Sequence, residues 1–141
     1  MPIPIRFAGL ELCFLQDGQG TDGGLDLFTT AVQPGAGMPI AHYHESWDET
    51  VYGLSGTTTW TVAGRDIAVE PGASIFIPRG VVHGFANHSD HAAVFLSILT
   101  PGILGRAYFE ETAALVNAGF ADPEAMRAVM LRHGLVPVMP T

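Results

Sequence analysis

The sequence predicts an all-β domain, a barrel or sandwich of short strands, with two α-helices at its C-terminal end. Apolar, β-branched and aromatic runs recur about every ten residues between residues 10 and 99, and turn-forming residues separate them. The 141 residues include 17 Gly and 10 Pro, a composition that suits many tight turns. The length is that of one domain, with a barrel over about 8–100 and a helical extension over about 101–141.

Each strand is predicted from a short apolar run that ends at Gly, Pro, Asn or Asp. Ala63-Gly64 is a plausible hairpin turn between two of these runs. The strands are predicted at 10–16 and 25–32, at the segment that carries residues 42 and 44, and at 49–55, 57–62, 65–69, 74–77, 81–87 and 92–99.

The two helices are predicted from helical spacing of apolar residues over 106–117 and from a start signal at Asp122-Pro123-Glu124. Asp122 is a good N-cap residue, Pro suits the first helical position, and Gly134 ends the second helix. A short extended tail is expected over 135–139. The helices either cover one mouth of the barrel or lie on its outer face, and both arrangements remain open.

Composition excludes several classes of partner. Six Lys and Arg against fourteen Asp and Glu leave a net charge of −8, which makes binding to a nucleic acid backbone improbable. No apolar stretch has the length of a membrane span and no signal peptide precedes the domain, so we expect a cytoplasmic protein without a membrane partner. With 48% hydrophobic residues, some apolar surface is available for a partner subunit.

Three histidines and one glutamate are the candidate metal ligands. On an extended strand, His42 and His44 point to the same face, where neutral imidazole nitrogens bind divalent metals. Glu49 reaches the same point if the chain bends after Trp47, and His83 offers a fourth ligand. A pair of histidines two residues apart is weak evidence for a metal site by itself, because most such pairs are ordinary surface or core residues.

Two motifs strengthen this interpretation. The first places four residues between His44 and Glu49 and six between Glu49 and Gly56. The leading glycine of the motif is offset, since Gly37 lies one residue too close to His42 and Gly35 one too far. The second motif follows fifteen residues later and consists of Gly72, Pro78-Arg79-Gly80, His83 and Asn87.

The two motifs together resemble those of the cupin superfamily, and specifically its small, single-domain, quercetin-dioxygenase-like bacterial members. The resemblance implies a double-stranded β-helix, or jelly-roll, barrel with one metal ion inside and often a homodimer. It implies His42, His44, Glu49 and His83 as metal ligands. Such a ligand set suits Fe, Mn, Ni, Co or Zn as the divalent ion.

The function expected from the resemblance is that of a metal-dependent dioxygenase acting on a flavonoid-like or other enolisable small molecule inside the barrel. Glu49 then acts as ligand and catalytic base, or as ligand only. Two alternatives remain open: a non-redox metal enzyme (isomerase, cyclase or decarboxylase), and a protein that binds a small molecule without turnover.

Other residues have weaker functional interpretations. Ile40, Val51, Gly53, Val81 and Phe85 are expected to form an apolar cavity wall. Asn87 either supports the metal site through a hydrogen bond or only ties down the next turn. Glu45 and Asp48 are expected in a solvated loop, with a role as acid or base as the alternative. Arg79 is expected as an exposed turn residue, with contact to an anionic substrate as the alternative.

Overall fold

The computed structural model describes residues 3–138, which form two antiparallel β-sheets and two helices. The predicted all-β barrel with two C-terminal helices is confirmed. In spatial order the six-stranded sheet contains β1 (Ile5–Phe7), β2 (Leu10–Gln16), β3 (Asp26–Val32), β10 (Ala93–Thr100), β5 (Asp48–Ser55) and β8 (Ser74–Ile77). The five-stranded sheet contains β11 (Leu135–Pro137), β4 (Gly37–His44), β9 (His83–Ala86), β6 (Thr58–Val62) and β7 (Arg65–Val69).

Alternation of side chains places one face of each sheet in the core. Along β3, every second residue from Asp26 to Val32 is buried and the others are half-buried. β10 repeats this pattern in register, with Leu96 opposite Thr29 and Ser97 opposite Phe28. Because side chains of a strand alternate between the two faces, one face of the six-stranded sheet lines the barrel interior and the other faces outward.

The turn between β5 and β6 depends on the glycine at position 56. Its φ of +63° lies in the left-handed region, and a Cβ there would meet the carbonyl oxygen of Ala92 at 2.6 Å. Only glycine tolerates both conditions without strain. The turn between β5 and β6 therefore brings the chain close to the start of β10.

The helices are α1 (Gly105–Asn117) and α2 (Pro123–Arg132), close to the predicted bounds. The side chain of Asp122 accepts a hydrogen bond from the Ala125 amide at 2.8 Å, so the predicted N-cap is confirmed. Phe109 of α1 packs on the rings of Phe14 and Phe28 at 5.9 and 5.3 Å between centroids. None of the helices within residues 3–138 combines the length and the apolar character needed to cross a bilayer.

Two strands were not predicted as such. β1 precedes the predicted barrel start and pairs with β2. β11, expected only as an extended tail, pairs with β4 next to the two histidines, so the C-terminal extension contributes a strand to the barrel. Residue 139, the last of the predicted tail, lies outside the described residues.

Candidate metal centre

The structure brings the three predicted histidines together. His42 and His44 lie two residues apart on β4, and both are buried. β9 pairs with β4 so that His83 lies opposite His42. One nitrogen from each of the three rings lies within 4.8 Å of the others, close enough for all three to contact a single ion.

Glu49 approaches the histidines from the other sheet. It lies on β5, is only 6% exposed, and places Oε1 3.6 Å from Nε2 of His83 and 4.0 Å from Nδ1 of His44. The chain bends before β5, as the sequence analysis required. All four predicted ligands therefore border one small region between the two sheets, although their role as metal ligands remains a prediction.

Backbone carbonyls orient two of the imidazoles. Nδ1 of His42 lies 2.9 Å from the Ile40 oxygen, and Nδ1 of His83 lies 3.0 Å from the Val81 oxygen. Because a carbonyl only accepts hydrogen bonds, each Nδ1 carries the proton and donates it. In the neutral rings Nε2 then keeps its lone pair, which is the arrangement that a metal-binding histidine requires.

The local environment keeps two histidines neutral. Burial lowers the pKa of His42 to about 4, and the charge of nearby His83 acts in the same direction. Burial likewise lowers the pKa of His44 to about 3, against the opposing charge of Glu49. At neutral pH both rings therefore offer unprotonated nitrogens for binding a cation.

His83 and Glu49 behave as a pair. Burial by itself lowers the pKa of His83 and raises that of Glu49, but their mutual contact and opposite charges outweigh it in each case. The pKa of His83 is therefore raised and that of Glu49 is lowered. Glu49 remains an anion inside the barrel, which supplies negative charge next to the histidines.

Four residues around the site were not predicted from the sequence. The hydroxyl of Ser97 donates a hydrogen bond to Oε2 of Glu49 at 3.0 Å. Trp47 stacks on His44 with 4.8 Å between ring centroids, and Trp60 is parallel to His83 at 6.4 Å. Tyr108 of α1 lines the same cavity. Of these four residues, Trp60 is the one whose position the sequence could have indicated, because it occupies an inward position of a clearly predicted strand.

The cavity next to the histidines is small and mainly apolar. Its volume is about 50 Å³, room for a few water molecules. Leu104, Tyr108 and Phe109 line it at the α1 end, so α1 covers a mouth of the barrel, whereas no residue of α2 lines the cavity. No arginine lines it among the described residues. The remaining lining residues are Phe7, Leu10, Leu12, Phe28, Thr30, Met38, His42, His44, Glu49, Trp60, His83, Phe85, Phe95, Ser97, Leu99 and Leu135.

The predicted cavity wall is correct only for Phe85. Ile40, Val51, Gly53 and Val81 do not line the cavity. Val51 is fully buried in the core, but the wall is instead formed largely by β1, β2, β3 and β10. The alternation of residues along a strand predicts which of its faces is buried. The position of each buried side chain along the barrel axis depends instead on the pairing of strands that are distant in sequence.

Asn87 ties down a turn. Its amide nitrogen donates to the carbonyls of Val32 at 3.0 Å and His91 at 2.7 Å. Its oxygen accepts hydrogen bonds from the backbone and side chain of Ser89 at 2.9 and 2.7 Å. These bonds hold Asn87 away from the ligands, so the turn interpretation is the one that the geometry supports.

Arg79 and the two acidic residues near the histidines lie outside the cavity. Arg79 is exposed and contacts Asp48 through both its backbone amide, at 2.9 Å, and its guanidinium, at 3.2 Å. Glu45 is exposed. The solvated-loop interpretation therefore fits Glu45 and Arg79, whereas Asp48 is half-buried at the start of β5 and pairs with Arg79.

Comparison with known families decides the identity of the fold. The profile of the Cupin_2 family, described as "Cupin domain", matches residues 28–99, which is half of the chain. This chain is a cupin. The match spans both motifs and all four candidate ligands.

Proteins that are similar to this cupin carry the names of different activities. Quercetin 2,3-dioxygenase from Bacillus subtilis (strain 168) is 31% identical over 85 residues, which are 60% of this chain and a quarter of that protein. A predicted oxalate decarboxylase from Thermotoga maritima superposes with a TM-score of 0.64 at 21% identity, over 72% of this chain and 92% of the other. A sugar phosphate isomerase from Silicibacter pomeroyi superposes with a TM-score of 0.58 at 26% identity, over 65% and 59%.

The residues of this cupin fit a metal ion. Three buried imidazole nitrogens lie within 4.8 Å of one another, and two of the rings have pKa values far below neutrality. Imidazole and carboxylate donors together suit divalent transition metals. The three-histidine cluster is therefore able to hold a metal in the interior of the barrel.

Proposed function

We propose that this cupin is a metal-dependent dioxygenase of a small, uncharged, enolisable compound, with the metal held by His42, His44, His83 and Glu49. The observation that carries the proposal is the position of the Glu49 carboxylate. Its Oε2 accepts the hydrogen bond of Ser97, while its Oε1 lies beside the histidines in a small, mainly apolar cavity.

The size of the cavity restricts the ligand. Typical small-molecule sites enclose about 300–1,000 Å³, whereas this cavity measures about 50 Å³. A three-ring flavonol does not fit in this conformation, and a compound of a few carbons such as a short β-diketone needs far less additional space. We therefore favour the enolisable alternative over the flavonoid one.

The charge of the cavity also restricts the ligand. The polar or ionisable residues of its lining are His, Glu, Ser, Thr and Tyr, and no arginine lines it among the described residues. The chain contains no lysine. A carboxylate or phosphate ligand would thus find neither arginine nor lysine in the described lining, and we favour a neutral ligand.

Glu49 and its neighbours supply the acid–base chemistry. Oε1 of Glu49 accepts the acidic proton of the ligand as the enolate forms, and returns it when the product is protonated. Ser97 keeps the carboxylate oriented through Oε2. The hydroxyl of Tyr108, which has no hydrogen-bond partner among residues 3–138, is available as a neutral donor to a ligand oxygen.

The apolar wall completes the site. Phe85, Phe95 and Trp60 pack against one another at 4.9 to 5.1 Å between centroids and form an apolar wall next to the histidines. When bound, a divalent metal supplies Lewis acidity toward the ligand oxygens and, if it is redox-active, electron exchange with O2. The similarity to quercetin 2,3-dioxygenase supports the redox alternative.

A non-redox reaction is the second candidate. The sugar phosphate isomerase at 26% identity favours proton transfer without O2, for which the same carboxylate would serve. The absence of arginine and lysine from the described cavity lining argues against a phosphorylated substrate for this chain. Isomerisation, cyclisation or decarboxylation of an uncharged carbonyl compound remains compatible with the site, as does binding without turnover.

Metal content is the first test. We expect about one divalent metal per chain after growth in metal-supplemented medium, and none in a His42→Ala/His83→Ala variant. A matched control removes the exposed histidines instead, His88→Ala/His91→Ala, and should bind metal like the wild type. Equal metal content in all three proteins would contradict the site.

Activity is tested on the reconstituted protein. After loading with Fe, Mn, Ni, Co or Zn, O2 uptake is followed with short β-diketones, a flavonol and a sugar phosphate. Uptake with the β-diketone supports the dioxygenase, whereas conversion without O2 supports the non-redox alternative. Binding without conversion under either condition indicates ligand capture alone.

A further inference from the structure

The ring of His44 is held differently from the other two histidines of the cluster. Backbone carbonyls accept hydrogen bonds from His42 and His83 at 2.9 and 3.0 Å. Among residues 3–138 no backbone carbonyl does this for His44, and its Nδ1 lies 4.0 Å from Oε1 of Glu49, beyond hydrogen-bond distance. A different kind of contact therefore sets the orientation of this ring.

The side chain of Trp47 supplies that contact. Trp47 lies in the short loop between β4 and β5 and is only 1% exposed. Its indole stacks on the His44 ring with 4.8 Å between centroids and 25° between planes. The His83 ring contacts the same imidazole at 4.6 Å and nearly at right angles, so two rings limit the rotation of His44.

Packing, and not hydrogen bonding, fixes the indole in this position. Its Nε1 is buried and has no hydrogen-bond partner within the part of the chain that the structure describes. Since a buried donor without a partner is costly, the polar atom of Trp47 does not explain why a tryptophan occupies this position. The feature that the site uses is the flat aromatic face, which a phenylalanine would share.

The C-terminal extension supports the indole at the end of α2. A Cβ on Gly134 would meet Cζ3 of Trp47 at 3.1 Å and Cη2 at 3.4 Å, so the glycine leaves room for the indole. The Gly134 carbonyl accepts a hydrogen bond from the Glu45 amide at 3.1 Å. β11 then pairs with β4, with Leu135 opposite His44. The segment after α2 is thus fastened both to the loop that carries Trp47 and to the strand that carries His44.

We propose that Trp47 is a positioning residue of the metal centre, through which the C-terminal extension holds the His44 ring in the orientation that binds the ion. Trp47 acts through His44, since it does not itself line the cavity. A ring already held in one orientation loses little rotational freedom when it binds a metal, so the stack raises the affinity by preorganisation. The inference rests on the proposed metal site, but the orientation of the ring is measurable without a metal.

The first measurement uses the metal-free protein. Nuclear Overhauser effects between the ring protons of His44 and His83 report whether the His44 ring keeps its orientation. We expect these effects to weaken in Trp47→Ala and to persist in Trp47→Phe, which keeps an aromatic face. Unchanged effects in Trp47→Ala would overturn the proposal, whether or not the protein binds a metal.

The second measurement titrates the same proteins with Co(II) in competition with a chelating dye. Loss of a group that orients a metal ligand typically costs about 10–100-fold in affinity, so we expect at least about a tenfold loss in Trp47→Ala. Trp47→Phe should keep most of the affinity and the d–d absorption spectrum of the wild type. Equal affinities for the wild type and Trp47→Ala would overturn the proposal. A wild type that binds no Co(II) would refute the metal site, and the Overhauser effects would then decide the role of Trp47.

Two glycine variants avoid the large cavity that Trp47→Ala leaves in the core. Gly134→Ala presses a methyl group against the indole, whereas Gly119→Ala, at the corresponding position after α1, meets no atom within 4 Å. Both glycines have a positive φ, +86° and +79°, so the backbone strain is matched. We expect weaker Overhauser effects and a loss of Co(II) affinity only in Gly134→Ala. Equal behaviour of the two variants would overturn the proposed link between the C-terminal extension and His44.

Discussion

Ser97 and Glu49 are 48 residues apart in the chain, and the Ser97 hydroxyl donates a hydrogen bond to Oε2 of Glu49 at 3.0 Å. Ser97 is fully buried and Glu49 nearly so. The bond is made between neighbouring strands, β10 and β5, which pair along their length. It occupies one carboxylate oxygen and leaves the other directed at His83 and His44.

Replacing Ser97 by Ala should weaken metal binding. The carboxylate loses the bond that orients it, and loss of such a supporting bond typically costs about 10–100-fold in metal affinity. Competition titration with a chelating dye measures the change. Ser97→Thr keeps the hydroxyl and should restore most of the affinity. Equal affinities for the wild type and Ser97→Ala would show that Glu49 is oriented by other contacts.

Metal binding should stabilise the fold. A metal that binds only the folded state adds about 2.7 kcal/mol to the free energy of unfolding when its free concentration is about 100 times its dissociation constant. Thermal unfolding with and without Zn or Co, and after addition of EDTA, measures the shift. His44→Ala should lose the shift, whereas His88→Ala, at an exposed position, should keep it. A shift that survives in His44→Ala would assign the metal to another site.

Asn87→Ala should destabilise the protein without changing metal affinity. The buried side chain makes four hydrogen bonds, to Val32, His91 and twice to Ser89, and its loss takes this partner from the carbonyl of fully buried Val32 and from the Ser89 amide. Each unsatisfied group costs about 1–3 kcal/mol, so we expect a loss of about 3 kcal/mol or more in urea unfolding. Ser89→Ala is the milder comparison. A fall in metal affinity at unchanged stability would instead restore the supporting role for Asn87.

Asp26→Ala should loosen α1. The Asp26 carboxylate is fully buried and accepts hydrogen bonds from the amides of Gly18 at 3.1 Å and Gly105 at 3.0 Å, the second at the start of α1. A carboxylate there also complements the helix dipole. We expect a loss of about 2–4 kcal/mol in the free energy of unfolding and faster hydrogen exchange in α1. Unchanged exchange in α1 would show that its packing on β1 is sufficient.

Tyr108→Phe should make the protein more resistant to alkali. Burial raises the pKa of Tyr108 to about 12. In the unfolded chain a tyrosine ionises near pH 10, so between pH 10 and 12 the unfolded state alone loses the proton and stability falls as pH rises. The variant should lose this dependence, of about 2–3 kcal/mol at most. Denaturant unfolding of both proteins at pH 8 and 11 measures the change in the free energy of unfolding. An equal change in the wild type and the variant would contradict a raised pKa for the buried Tyr108 hydroxyl.

Much of the fold was predictable because its signals are local. The alternation of apolar residues, the turn glycines and the Asp122-Pro123 helix start depend on residues adjacent in sequence, and the structure confirms each of them. β1 and β11 were not predicted as strands because three residues are too few to show an alternating pattern. Each is stabilised by its pairing with a longer neighbour, which no local pattern records.

The sequence by itself determined the cupin fold and the candidate ligands, because the spacing of His42 and His44 and the two glycine-containing motifs are short-range features. Only the tertiary structure decided which distant side chains meet them. Ser97, Trp60 and Tyr108 reach the site through strand pairing and helix docking, and the cavity volume follows from how tightly α1 closes the barrel. These features depend on long-range packing, in which a residue's neighbours are set by the register of strands far apart in the chain.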